Sequence, residues 1–318
     1  MADLPKRVEL IEVGPRDGLQ IEPRILSTPD KVRMVDALVD SGLKQVEVGS
    51  FVNLMAVPQM ADTNELFEQI EKRPGIRYRA LWLNPKGLER ALANGHVDMD
   101  GKLTLTASET FVKRNTNRSI EETFDQMPAW IQTYRENGIA ADTLGVMAAF
   151  GCNFEGYIAE EKVVVLVGKA MRIMADHGCT LQYLSLADTM GWGSPGQIKS
   201  LVGKIQDKWP ELHLKLHLHD TRGCAIANAV AAIEMGVDEF DSSVGGLGGC
   251  PFAGHKGAAG NVCTEDLVFA CNEMGIDTGI DIDALVEAAM LTEELVGHQL
   301  PGKVMKGGTL TRWKEARA

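Results

Sequence analysis

Two histidines, His217 and His219, stand inside the apolar run LKLHLHDTRG (214–223), with Asp220 directly after them. Residues two apart on a β-strand point to the same face, so this spacing aims both imidazoles one way while Leu216 and Leu218 turn toward the opposite layer. A strand built like this presents two nitrogen donors to one metal ion. The same spacing also suits half-buried histidines satisfied by backbone carbonyls, because polar residues are common on a strand face that is not fully buried.

Other polar residues recur where strand-like runs end. After VELIEV (8–13) comes GPRDGLQ, which sets Arg16 and Asp17 in a turn bounded by glycine and proline. VEVGSF places Glu47 inside an apolar pattern, SLADTMG carries Asp188 at its tip, and the glycine-dense stretch GGLGGCPFAGHKGAAGN holds Cys250 and closes with Asn261. Each has a structural reading. Asp17 and Asp188 suit helix caps or turns, Glu47 suits a buried ion pair with Arg16, Cys250 suits a small apolar group, and the glycine stretch suits a phosphate cradle or a mobile loop. Several polar strand ends sharing one mouth favour chemistry over coincidence. Two imidazoles with a carboxylate and an amide oxygen suit a catalytic divalent cation such as Mg²⁺, Mn²⁺ or Co²⁺, with positions open to substrate oxygens, whereas a structural zinc recruits thiolates.

A repeated strand-helix pattern must position these residues. Eight β-like runs centre on 8–13, 45–50, 78–83, 103–107, 144–149, 183–187, 214–219 and 240–244, with helical patterns between them. In 30–41, Val32, Val35, Leu38 and Val39 form one stripe after Pro29 and before Gly42, the start and stop signals of a helix, and 224–235 likewise precedes Gly236. Eight alternations predict an α/β fold, the (β/α)8 or TIM barrel, with right-handed crossovers; a doubly wound sheet is the alternative. An additional C-terminal helix is expected from about 281 to 300, and residues 1–318 are read as a single catalytic barrel domain with that extension. In such a barrel the C-terminal strand ends surround one mouth, which would make neighbours of residues scattered from 16 to 261.

Bulk composition bounds the rest. Of 318 residues 45% are hydrophobic and 24% charged, a globular composition with ample material for a core. A formal charge of −12 argues against an extended nucleic-acid or anionic-membrane surface, so an anionic ligand would need a local basic patch. Six cysteines without CxxC spacing are expected to be thiols in a reducing compartment, the cytoplasm by default. No run reaches the ~18 apolar residues of a spanning helix, and a strand-like run begins within the opening ten residues, so no targeting segment is expected.

The segments VGPRDGLQ, VEVGSFV, LADTMGWGSPG, LHLHDTRG, DSSVGGLGGCPFA and AAGNVCTEDLV, in this order, resemble the 3-hydroxy-3-methylglutaryl-CoA lyases of the metallolyase barrel family over roughly residues 8 to 300. The resemblance implies a divalent cation, Mg²⁺ or Mn²⁺, held by Asp17, His217, His219 and Asn261. Arg16 would face the thioester carbonyl, Glu47 and Asp188 would support the site or move protons, and Cys250 would be a loop thiol that closes on substrate. It further implies an acyl-CoA substrate, a homodimer, and retro-Claisen cleavage to acetyl-CoA and acetoacetate, a reaction of leucine degradation and ketone-body formation. In that chemistry the tertiary hydroxyl loses a proton as the leaving fragment becomes an enolate; a cation lowers the hydroxyl pKa, and Arg16, always charged, stabilises the enolate oxygen. The base is Asp188 or a metal-site histidine such as His217, and the residues leave this open. Arg24, Lys113 and Arg114 are candidates for the CoA phosphates, or equally solvated surface charges.

The chain also departs from that pattern. Trp82 and Trp192 add bulk near strand ends, Arg222 stands where an aromatic residue is common, and the glycine loop is about two residues longer, adding His255 and Lys256. A related 3-hydroxy-3-alkylglutaryl-CoA or citramalyl-CoA is therefore an alternative substrate. Two other classes compete: a condensing synthase of the isopropylmalate or homocitrate type, and a barrel that binds CoA esters without turnover.

Overall fold

The computed structural model describes residues 4–249, 260–315 and 317. Eight sheet strands stand within two residues of the apolar runs: β1 Glu9–Glu12, β2 Gln45–Ser50, β3 Arg77–Leu81, β4 Lys102–Thr106, β5 Thr143–Met147, β6 Tyr183–Asp188, β7 His213–Leu218 and β8 Glu239–Ser242. Their order, β3-β2-β1-β8-β7-β6-β5-β4, is the cyclic order of a (β/α)8 barrel: apart from β3 and β4, which stand at the two ends of the order, strands adjacent in the chain are adjacent in the sheet, and β8 lies beside β1. A doubly wound sheet reverses its order partway, and this one does not. A further two-residue ladder, Gly151–Cys152 against Gly156–Tyr157, forms a small hairpin after β5.

Helices fill the connections, beginning where side chains can cap them. Ser27 accepts from the Asp30 N–H, Asn84 from Gly87 and Ser108 from Phe111, while Ser119 and Glu122 form a reciprocal capping box. The helix expected at 30–41 is Thr28–Asp40, because Pro29 lies within its first turn, where a missing N–H costs nothing. The expected C-terminal helix is Ile282–Val296: Asp281 caps its start, and Gly297, at φ +79°, ends it four residues early.

The chain forms two compact units. In the unit built on residues 100–240, Leu103, Leu144, Leu184 and Leu214 lie in register across β4 to β7, all of them buried. Phe124, Ile131, Val163, Val167, Ile198 and Leu201 supply the buried faces of its helices. In the unit built on residues 6–99, 241–249 and 260 onward, Val46 and Val48 alternate with Gln45 and Glu47 along β2. The buried helix faces there include Val35, Leu38, Leu88, Leu267 and Leu285. Alternation thus separates an apolar strand face from one bearing polar side chains. Between Glu47 and Gly49 the β2-β3 register shifts by a bulge, a device that re-aims side chains at a strand end. Among the described residues no helix is long and apolar enough to cross a membrane.

Candidate metal centre and active site

The chain leaves β1 through a tight π-helical turn, Gly14–Gly18. The carbonyl of Val13 accepts the N–H groups of Arg16, Asp17 and Gly18 at 3.1, 2.7 and 3.3 Å. Both ends of this turn are tightly packed: a Cβ on Gly14 would lie 2.6 Å from Glu12 Oε1, and one on Gly18 would lie 2.9 Å from the Leu247 side chain, so a larger residue would have to displace them. Arg16 projects from the turn into a nest of charge. Its Nη1 donates to Asp17 Oδ1 at 2.6 Å, and its Nε donates to Glu47 Oε1. Burial disfavours the guanidinium, yet Glu47 and Asp17 outweigh it and raise the Arg16 pKa above its ordinary value. The ion pair with Glu47 anticipated from sequence is thus present.

Asp17 is held from several sides. Gln20 Nε2 donates to its Oδ1 at 2.9 Å, and Asn261 Nδ2 donates to its Oδ2 at 2.8 Å. The other amide atom, Asn261 Oδ1, is buried without a hydrogen-bond partner among the described residues. A buried carbonyl oxygen left unmatched costs roughly 1–3 kcal/mol, and it is a ready ligand for a hard cation.

Sequence reasoning missed the group that organises this turn. Glu12 is fully buried; its Oε1 accepts from the Gly14 and Val244 N–H groups at 2.7 and 2.9 Å, and its Oε2 accepts from Thr264 Oγ1 at 2.7 Å. One carboxyl group therefore ties the Arg16-Asp17 turn to the segment after β8 and to the helix Thr264–Glu273 that follows Asn261. Burial pushes its pKa up to about 7 against those hydrogen bonds. Glu265, also fully buried, accepts the Gly245 N–H at 3.0 Å and is likewise pushed up to about 7 by burial. A signal was available: Glu12 is a carboxylate in an apolar strand run, as Glu47 is.

In the other unit the imidazoles stand as the strand pattern requires. His217 Nε2 and His219 Nε2 face each other at 3.2 Å, while Leu216 and Leu218 are buried. His219 Nδ1 lies 2.6 Å from the Thr189 carbonyl, which can only accept, so Nδ1 carries a proton and the lone pair of the uncharged ring would lie at Nε2. The reading of these histidines as merely satisfied by carbonyls therefore holds for one nitrogen of His219 and leaves its Nε2 facing His217. Asp188, at the end of β6, accepts the Trp192 and Gly193 N–H groups at 2.7 and 2.9 Å. It closes the turn after β6, and burial raises its pKa although these bonds and the nearby His219 and Arg222 oppose the shift.

The remaining candidates fall in varied settings. Cys250, His255 and Lys256 lie outside the described residues. Arg24, Lys113 and Arg114 are exposed; Lys113 and Arg114 occupy the last turn of a helix, where cations are favoured by the helix dipole, and Arg114 stacks 4.5 Å over Phe154. Trp82 is buried, whereas Trp192 is half-buried and donates its indole N–H to Asn153 at 2.8 Å.

Comparison with known proteins now adds to this geometry. Residues 7–292 match the family model described as HMGL-like. The chain is 42% identical over 304 residues to the mitochondrial hydroxymethylglutaryl-CoA lyase of Homo sapiens, covering 96% of this chain and 90% of that protein. Among solved structures, hydroxymethylglutaryl-CoA lyase from Pseudomonas aeruginosa superposes with a TM-score of 0.86 at 38% identity, covering 99% of each chain. An HMG-CoA lyase from Acinetobacter baumannii, solved with coenzyme A and 3-methylmalate, gives 0.84 at 36% identity over 98% of each chain. With its cyclic parallel sheet and its match over nearly the whole length, this chain belongs to the HMGL-like family.

Proposed function

We propose that the protein is a carbon-carbon lyase that cleaves 3-hydroxy-3-methylglutaryl-CoA to acetyl-CoA and acetoacetate with a divalent cation. The observation that carries this reading is a set of poised donors in a chain of this family: two imidazoles with facing Nε2 atoms and a buried Asn261 Oδ1 awaiting a partner. Asp17, His217, His219 and Asn261 would hold the ion, Mg²⁺ or Mn²⁺ by their mixed oxygen and nitrogen donors. When bound it supplies Lewis acidity that lowers the pKa of the substrate hydroxyl.

The chain's own groups supply the rest. Arg16 is held cationic by Glu47 and Asp17 and stabilises the enolate oxygen that develops on the leaving thioester. Asp188 commits its two oxygens to backbone N–H groups, which supports a positioning role for it and leaves His217 as the proposed proton-handling group. Cys250 would exclude water or deliver a proton to the enolate, and Arg24, Lys113 and Arg114 are candidates for the CoA phosphates, equally suited to be solvated surface charges. The protein is proposed to act as a single catalytic domain in a homodimer and in the cytoplasm; its relatives include lyases named as mitochondrial and a rat lyase named as cytoplasmic.

The test is a coupled assay of acetyl-CoA release from 3-hydroxy-3-methylglutaryl-CoA after chelation, with and without restored Mg²⁺ or Mn²⁺. Metal-dependent release at roughly 1 s⁻¹ or faster is expected. Metal binding without release would overturn the substrate and direct the same assay to citramalyl-CoA.

A further inference from the structure

The turn after β6 carries the carbonyl that orients His219, and a residue on the segment after β7 grips that turn. Arg222 Nη1 donates to the carbonyls of Met190 and Gly191, both at 2.8 Å. The preceding carbonyl, that of Thr189, accepts from His219 Nδ1 at 2.6 Å. Thr189 is fixed again through its hydroxyl, which accepts the Ala148 N–H at 2.9 Å; Ala148 sits at φ +53°, a left-handed conformation that alanine rarely adopts without support. Gly191, at φ +62°, completes the lock: a Cβ there would lie 2.7 Å from Thr221 Cβ and 3.3 Å from the His219 carbonyl. Three consecutive carbonyls, Thr189 to Gly191, thus receive donors from His219 and Arg222, two residues on one short segment.

We propose that Arg222 is a positioning residue for the metal ligand His219, acting through the Thr189–Gly191 carbonyls to keep the proton on Nδ1 and the Nε2 lone pair toward His217. The proposal rests on the reading of His219 as a ligand. The two N–H bonds that diverge from one guanidinium nitrogen hold adjacent carbonyls in fixed directions, which an aromatic side chain at this position cannot do. The guanidinium also lies 5.4 Å over the Trp192 ring, and Trp192 N–H is bound by Asp188, so the grip extends to the far end of the turn. Release of this turn lets the Thr189 carbonyl drift, and a His219 ring without a firm acceptor at Nδ1 populates the tautomer whose Nε2 is protonated and cannot bind metal.

The experiment titrates Mn²⁺ into the full-length protein without substrate, reading free Mn²⁺ by electron paramagnetic resonance, for wild type, Arg222→Met, Arg222→Lys and His219→Ala. Arg222→Met is expected to weaken Mn²⁺ binding about tenfold, at the low end for a group that orients a ligand. Arg222→Lys recovers most of the affinity, since an ammonium can donate to both carbonyls. At saturating Mn²⁺ the kcat of Arg222→Met should stay within about threefold of wild type, the loss lying in metal affinity. A purely structural role would instead lower the melting temperature of Arg222→Met and leave the Mn²⁺ affinity of the folded protein unchanged, which overturns the proposal. Wild-type affinity in His219→Ala would overturn the ligand reading beneath it, and the proposal with it; wild-type affinity in Arg222→Met alone overturns the role of Arg222 only.

Discussion

The turn after β1 and the end of β7 supply candidate ligands of opposite electrical character. Around Asp17 the side chains are charged and hold one another: Arg16 bridges Asp17 and Glu47, and Asn261 and Gln20 donate to the same carboxylate. Around His219 the direction of the ring comes from a backbone carbonyl, itself held in a turn by Asp188, Thr189 and Arg222. A carboxylate attracts a cation from any direction, so its ligand geometry is set by competing charges. An imidazole binds through a single lone pair, so its geometry must be set by orientation. Damage to the first region should therefore appear in charge-dependent steps, and damage to the second in metal affinity.

The largest effect should come from the histidine region. His219→Ala is expected to weaken Mn²⁺ binding by at least about 100-fold and to abolish metal-dependent turnover; isothermal titration with Mn²⁺ and the acetyl-CoA release assay check it, and equal occupancy and activity would break the comparison. Next, Arg16→Gln should lower kcat by about 10²–10³, the cost of one oxyanion donor, while Mn²⁺ still binds. A loss confined to metal affinity would place Arg16 with the ligands instead.

A third prediction concerns the buried carboxyl beneath the charged region. Glu12 has a folded-state pKa of about 7 against an ordinary 4.5. Its stabilising protonated form is therefore fully present below pH 4.5, and its contribution is lost as pH rises through about 7. The difference corresponds to about 3 kcal/mol of stability lost over that window, and Glu265 adds a loss of the same sign. Glu12→Gln, which mimics the protonated acid, should flatten the decline of melting temperature between pH 5 and 8; an unchanged slope would remove Glu12 as its source. The smallest effect belongs to Trp192→Phe, which loses the bond to Asn153 in a half-buried setting. It should cost about 1 kcal/mol in chemical denaturation and leave Mn²⁺ affinity unchanged.

Much of this architecture was legible in the chain itself. The eight strands followed from period-two apolar runs, and the pairing of His217 with His219 followed from the same period. Helix ends were less legible: Pro29 marked a first turn rather than a boundary, and Gly297 stopped the last long helix early. Glu12 was passed over because its run otherwise reads as core, and nothing local reveals that the N–H groups of Gly14 and Val244 and the Thr264 hydroxyl need an acceptor there.

The sequence by itself determined the fold class, the family and the candidate donor residues, because side-chain period, turn chemistry and motif order are properties of neighbours along the chain. Only the tertiary structure decided what those residues do to one another. That Asp188 closes a turn, that Thr189 sets the tautomer of His219, and that Asn261 leaves an oxygen unmatched depend on atoms brought within 3 Å from distant positions. Hydrogen-bond direction and burial exist only once the chain has folded.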